Sequence, residues 1–382
     1  MSYSKYLVPR DTLAVLTLHH LRSCQNFGLM LARYAPQEAI EDTNRVEKGK
    51  NVGKERNFWL NDICGNFNPN ADLIADHYTR WQAMTTGAKR FSMKTRSRLI
   101  VGLGGKGALE FGITLHPVTG LPYIPGNALK GLCRSYKLLE LAAQCHVSPL
   151  PSEEGDSELD TFEKTLIDPK ETAEQAVQFR HMFGTQEAGG QCVFHDAVLM
   201  PLPEHEGTSL FELDVLTPHF PDYYSKQGKS DAPHDGQGPI PFTFITVATE
   251  IGFAFAVGLR HNATAGKDVA IHAHDILIKA LQEMGIGAKT AAGYGVFGDA
   301  RELKVKKTSI DVGDEVRGEV YEVDQNYGIW FGLDGDTQFK YEGVIPKESV
   351  LKWRKNGERI KAQVISIQIG ATVRLICQQI IN

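Results

Sequence analysis

Nothing in this 382-residue chain points to a disulfide framework, a zinc ribbon or a membrane span. Its six cysteines are scattered, with no C-x-x-C pair. That removes the spacing of a metal ribbon and of a stapled secreted domain, and reduced cytoplasmic thiols are expected. No apolar run approaches the roughly 18 residues that a spanning helix needs. The apolar stretch at 13–21 is short and carries His19 and His20, so no signal peptide is expected. Positive charge is also scarce: 41 Lys and Arg stand against 46 Asp and Glu, a net −5. A free-standing, non-specific nucleic-acid binder should be basic. A core is not lacking, since 42% hydrophobic content excludes wholesale disorder. The length allows two or three domains.

Charge is unevenly spread. Residues 85–137 hold nine Lys and Arg against one acid, Glu110, whereas acids dominate 150–178, with Glu153, Glu154, Asp156, Glu158 and Asp160 close together. A basic element in an acidic chain suits a subunit with one nucleic-acid face and other faces for protein neighbours. Ordinary surface charge is the plainer alternative. The acidic run is expected to stay away from RNA, as an exposed loop or partner contact.

The densest motif is GIGAKTAAGYG, 285–295. It follows a run at 269–284 with apolar residues at helical spacing, and Gly285 stands where a helix would stop. Such a turn exposes backbone N–H groups and admits an anionic chain. Lys289 adds a charge and Tyr294 a stacking face. A P-loop is excluded, because Glu283 and Ala288 occupy its glycine positions and the helix precedes the loop. Residues 102–107 match G-x-G-x-x-G, but an alternating strand follows instead of a helix, with no acid near 120–130. The chemistry reads as grip on a phosphate backbone.

Along the chain, 1–84 reads as a helical N-terminal elaboration. It includes an amphipathic run at 26–34, a mobile loop at 48–54, and a helix at 72–84 with Leu73, Ile74, His77, Trp81 and Met84 near one face. From 85 to 300 the period alternates. Strands are expected at 91–101 and 109–115, and a turn at 117–122. A helix should run from Asn127, its N-cap, to about 145. Further strands are expected at 192–196 and 210–215, then a mobile insertion at 225–241. A hairpin should join 242–249 to 253–260, and strand at 296–297 should close this part. The strand–strand–helix–strand rhythm occurs about twice. The expected class is therefore α+β, with two ferredoxin-like (RRM-like) halves. A basic linker at 301–309 leads to 310–382. There five strand-like pieces, at 315–323, 327–333, 341–345, 359–367 and 372–376, suit a small all-β OB barrel.

Three segments carry a resemblance: LPYIPGNALKGLCR (121–134), CVFHDA (192–197) and 285–297. Together they resemble the RAMP superfamily of CRISPR proteins. NFGLMLARY (26–34), LDVLTPHFPDYYSK (213–226), PIPF (239–242) and FITV (244–247) narrow the likeness to the sixth-subunit family of the type III-B Cmr effector, over about 20–300. Asn127 and Ala128 stand where the family carries a pair of small hydroxyl residues. The tail is similar instead to the S-one type of OB domain, through Gly318, the pair Tyr327-Gly328, GVIP (343–346) and VISI (364–367). The resemblance implies a non-catalytic subunit that caps the complex near the 3′ end of the guide RNA. It would contact guide RNA, target RNA, the repeated backbone RAMP subunit and a neighbouring capping RAMP subunit. Target cleavage would fall to the backbone subunits.

The candidate RNA contacts are Lys106, Lys130, Arg134, Gly287, Lys289, Thr290, Tyr294, Tyr327 and Phe331. Lys130 and Arg134 are four apart and share a helix face. Tyr327 and Phe331 should lie on one strand face as a stacking platform, with Trp330 on the other. His219, near Asp222 and Tyr223, is the weak candidate for a catalytic base on a ribose 2′-OH. It anchors the rival reading of a metal-independent guide-precursor endoribonuclease; a protein-only scaffold is the other rival. His195 and Asp196 should face opposite ways on a strand. His272 and His274, two apart on a helix, cannot share a face. No metal or cofactor is expected.

Overall fold

The computed structural model describes residues 6, 8–19, 24–43, 54–103, 112–150, 157–201, 209–217, 242–303, 315–325, 328–333, 341–369 and 373–380. The chain divides into two compact units, Met1–Leu303 and Lys304–Asn382. No helix among the described residues is long and apolar enough to cross a membrane.

The first unit opens with five helices: α1 (Arg10–His19), α2 (Phe27–Arg33), α3 (Gln37–Thr43), α4 (Lys54–Asn66) and α5 (Ala71–Met84). Each start has a local cause where a cap is present. Asn26 Oδ1 accepts the Leu29 amide at 2.8 Å, and Asn70 Oδ1 accepts those of Asp72 and Leu73, the side-chain capping that short polar residues supply. The Asn26 amide also donates to the Pro117 and Val118 carbonyls, which ties α2 to the turn at 117–120. Gly120 is required there: at φ +68, a Cβ would lie 2.3 Å from Asn26 Oδ1. On α5, Ile74 and Trp81 are buried, but Met84 is 73% exposed, so the expected apolar face is narrower. The Arg90 guanidinium donates to the carbonyls of Thr85, at 3.1 Å, and of Gln82, closing the C-terminal end of α5 with a cation.

The strands are β1 (Lys89–Lys94), β2 (Cys192–Phe194), β3 (Val198–Leu199), β4 (Phe211–Leu216), β5 (Phe242–Val247), β6 (Gly252–Leu259) and β7 (Arg301–Glu302). One antiparallel sheet runs β2-β6-β1-β7, with β3 also on β6; β4 and β5 pair separately. The helices α6 (Gly126–Gln144), α7 (Glu158–Ile167), α8 (Glu174–Phe183) and α9 (Lys267–Glu283) complete the unit. One core of buried apolar residues joins Phe27, Trp59, Phe91, Leu129, Phe179, Phe255 and Leu277.

Several expectations change. Residues 242–249 and 253–260 do not form a hairpin, because β5 and β6 lie in different sheets. Buried Thr95 sits where that hairpin would close. Its hydroxyl donates to Ala248 O at 2.8 Å and accepts the Ile251 amide, while its carbonyl accepts the Glu250 amide. Helix α6 begins at Gly126, with Pro125 rather than Asn127 as its cap. The Gly126 amide is met by Asp196 Oδ1 at 2.7 Å. The acidic run is not all loop. Ser157 and Asp160 form a capping box that starts α7, and acids in a first turn suit the helix dipole. β1 stops at Lys94, short of the expected strand to 101. Of the expected strand at 109–115, residues 112–115 are described and form no strand, only an isolated bridge from Leu115 to Pro122; 109–111 and both expected mobile segments apart from Lys54 lie outside the described residues.

The second unit is a closed barrel, β10-β12-β11-β8-β9. Its strands are β8 (Glu315–Asp324), β9 (Gly328–Leu333), β10 (Tyr341–Pro346), β11 (Arg359–Ile369) and β12 (Val373–Gln379), all five near the expected positions. Along β8, Val316, Gly318 and Val320 point inward and their neighbours outward, the period-two pattern of a strand. Val316, Val320, Ile329, Phe331, Ile345, Ile360, Ala362, Val364 and Cys377 form its own core.

Candidate RNA-binding face

The glycine loop is held mainly by its own backbone. Ile286 N–H donates to Gly295 O at 2.9 Å, Gly295 N–H to Arg98 O at 2.8 Å, and Ala288 N–H to Ile100 O at 2.8 Å. A Cβ on Gly287 would meet Ile100 O at 2.1 Å, and one on Gly295 would meet Ile286 O at 1.9 Å. These glycines let the loop lie against 98–100, which is a packing role, and they also hold positive φ. The amides of Gly287, Lys289, Thr290 and Ala291 donate to no protein group among the described residues.

Lys289, itself left-handed at φ +61, places its ammonium 5.8 Å from the centre of the Phe244 ring on β5. Thr290 is half-buried beside it. Tyr294 turns inward: its hydroxyl donates to Asp214 Oδ2 at 2.5 Å. Arg98 donates to Glu212 at 2.8 Å and to Asp214 at 3.0 Å. Alternate residues of β4 thus meet one arginine and the loop's tyrosine on one face. Burial raises the Tyr294 phenol, and the bond to Asp214 adds to it. Burial pushes the Asp214 carboxyl up, but the Tyr294 hydroxyl, the Val215 amide and Arg98 outweigh it and hold it below the usual range.

The basic segment sorts into engaged and free cations. Arg90 caps α5. Arg98 is paired, Arg134 binds Glu163 and lies 5.3 Å from the Phe179 ring, and Lys137 binds Glu140 at 2.6 Å. Lys89, Lys94, Arg96 and Lys130 have no ion-pair partner among the described residues. Lys130 is half-buried, and its ammonium is pulled down by burial and then by Arg260 and Arg134. Arg260, at the end of β6, was not visible as a candidate in the sequence. Its guanidinium lies over Gly189, where a Cβ would come within 2.8 Å of Nη2. It borders an open depression with Gln191, His261 and Thr264. Only the fold brings residues 130 and 260 together.

The remaining candidates divide plainly. Lys106, His219 and Tyr327 lie outside the described residues. Phe331 is fully buried in the barrel, because it stands opposite Gly343 on β10, where a Cβ would lie 2.3 Å from its ring. It cannot be half of an exposed stacking platform. His195 and Asp196 lie just past β2. Asp196 anchors Gly126 through its side chain and Trp81 Nε1 through its carbonyl at 2.8 Å. The His195 imidazole is half-buried, and burial holds it below its usual value. Among the described residues no group of three His, Cys, Asp or Glu is placed to hold a metal.

A family model described as the RAMP superfamily matches residues 92–298, more than half of the chain. The chain belongs to the RAMP superfamily. It is 33% identical over 228 residues to the CRISPR system Cmr subunit Cmr6 of Pyrococcus furiosus, covering 53% of this chain and 65% of that one. It thus spans just under two thirds of that relative's length. It is 25% identical over 268 residues to the Cmr6 subunit of Saccharolobus solfataricus, covering 68% and 76%. A chain in the cryo-EM structure of the type III-B Cmr-beta bound to cognate target RNA aligns with TM-score 0.46 and 19% identity, over 77% of this chain and 88% of that one. The matched RAMP region runs from within β1 to the residue after Phe297 and stops short of the barrel. Two of its three motif segments meet each other, and the third packs on a segment outside the motifs. The 121–134 and 192–197 segments join through Gly126 and Asp196, and the glycine loop packs on 98–100.

Proposed function

We propose that this RAMP chain is a non-catalytic, RNA-binding subunit of a type III-B CRISPR Cmr ribonucleoprotein. It would sit near the 3′ end of the guide RNA and hold guide and target RNA. The backbone RAMP subunit and a neighbouring capping RAMP subunit would be its protein partners. The names of its Cmr6 relatives support the assembly. One observation carries the RNA contact: Lys130 has no carboxylate partner among the described residues, and burial, then Arg260 and Arg134, pull its ammonium down. Like charges held together on an acidic chain favour an anion between them, and an RNA phosphate supplies one. Lys289, beside three loop amides without protein partners among the described residues, is a second contact of the same kind. We read the unit as two ferredoxin-like halves, each pairing sheet strands with one long helix, α6 or α9, and the tail as an OB barrel.

The test is a full-chain variant, Lys130→Glu with Arg260→Glu, beside Lys289→Glu. Each lost phosphate contact should cost about 1–3 kcal/mol of guide-RNA affinity and flatten its salt dependence. Unchanged retention and an unchanged salt slope in both variants would defeat the reading. Cleavage of guide-precursor RNA by the purified chain in EDTA, lost on His219→Ala, would replace it with the endoribonuclease.

A further inference from the structure

The barrel carries an exposed aromatic that the sequence reading did not weigh. Between β10 and β11, Trp353 is 42% exposed and Leu351 is 59% exposed. Their backbone is nevertheless fixed from both sides. Gln379, 2% exposed on β12, accepts the amides of Leu351 and Lys352 at 2.9 and 2.6 Å and donates to Lys352 O at 2.7 Å. At the far end, Gly357 turns at φ +84, its amide donates to Val320 O at 2.7 Å, and the Val320 amide donates to Glu358 O at 3.0 Å. A buried glutamine spending three hydrogen bonds on an exposed segment makes that segment a rigid platform. A segment whose backbone is held this way loses little freedom on binding.

The charge around the ring is mostly positive. From 350 to 361, Lys352, Arg354, Lys355, Arg359 and Lys361 stand against Glu358 alone. Arg354 lies 3.9 Å from Glu358, and Lys361 is paired with Glu315 at 2.7 Å. Lys352 and Lys355 are exposed, and their ammonium groups have no carboxylate partner among the described residues, although the Lys355 backbone amide donates to Glu358 at 3.1 Å. An exposed indole on the same short segment as two exposed lysines suits a polymer with π-faced bases and regularly spaced phosphates. A protein partner would have to bury those lysines, which interface cores avoid.

We propose that Trp353, with Lys352 and Lys355, forms a contact site for single-stranded RNA: one base stacks on the indole and the adjacent phosphates meet the lysines. This rests on the RNA-binding reading above and places a second contact in the other compact unit.

The test uses the full chain and a labelled oligouridylate of about ten nucleotides, within the size range of one barrel site. RNA should quench indole emission, and Trp353→Ala should remove that quench and weaken binding roughly 5- to 150-fold. Trp353→Phe should keep most of the affinity. Lys352→Glu with Lys355→Glu should lower the salt slope by about 1.4, the loss of two single-strand phosphate contacts. Equal affinity and equal quench in wild type and Trp353→Ala would overturn the site. So would unchanged oligonucleotide binding with failed incorporation of Trp353→Ala into the assembled complex, which would mark a protein-docking face. The two RNA readings fail separately. Loss confined to Lys130→Glu with Arg260→Glu leaves only the first standing, and loss confined to the Trp353 and lysine variants leaves only the second.

Discussion

Two glycines of one loop separate packing from ligand approach. Gly293 and Gly295 both hold positive φ, +86 and +74. Alanine at either position pays the left-handed penalty, roughly 1–2 kcal/mol. Their surroundings differ. Nothing lies within 4 Å of a Cβ on Gly293, whereas one on Gly295 would stand 1.9 Å from Ile286 O. That contact cannot be relieved by a rotamer change, since both partners are main chain. The loop must move, weakening the Ile286-to-Gly295 and Gly295-to-Arg98 hydrogen bonds, at about 0.5–1.5 kcal/mol each. Overpacking adds about 1–3 kcal/mol. Gly295→Ala should therefore cost roughly 3–8 kcal/mol in all, and Gly293→Ala only the first contribution. Urea unfolding of the full chain, followed by near-ultraviolet circular dichroism, measures both. Hydrogen exchange at the Ile286 and Gly295 amides localises the change. Equal losses in the two variants would refute the packing account. If Gly293→Ala abolished RNA retention while remaining folded, the exposed part of the loop would be the ligand-approach surface instead.

Asp196→Ala should destabilise the first unit by about 1–2 kcal/mol, because the buried Gly126 amide loses its acceptor; Asp196→Asn should recover most of it, as a pair of thermal melts will show. Gly343→Ala should cost the barrel about 1–3 kcal/mol by pressing on Phe331, visible as a lowered barrel transition in calorimetry and absent if the ring can step aside. The Tyr294–Asp214 bond makes stability pH-dependent at two ends. Asp214 is held low, so its contribution is present above its unfolded value near pH 3.9 and fades as pH falls through the folded value. Tyr294 is held high, so its contribution is complete below about pH 10 and fades as pH rises through the folded value. Tyr294→Phe should remove the alkaline limb and weaken the acid one in melts across pH; identical profiles would show that the bond contributes nothing.

Much of the local structure was readable from residue pattern. The five barrel strands and helix α9 follow from alternation and helical spacing, and Asn26 announces α2, because each of these signals is carried by neighbours in the chain. The three RAMP motifs were also visible as strings, but not their purpose. Gly126 and Gly287 are glycines because a carbonyl from a distant segment, Phe194 O or Ile100 O, presses on each, and that partner is fixed only by packing. The same holds where expectation failed. Thr95 lies some 150 positions from the turn it organises, so the apparent hairpin at 242–260 could not be ruled out locally. Phe331 was assigned to the right strand, but whether its face looked into the barrel depended on Gly343 opposite. The sequence by itself determined the elements, the family and the basic segment. Tertiary structure decided which of those cations are spent on carboxylates and helix ends, and it set Arg260 beside Lys130. Electrostatic pairing acts through space between side chains that chain order does not make neighbours.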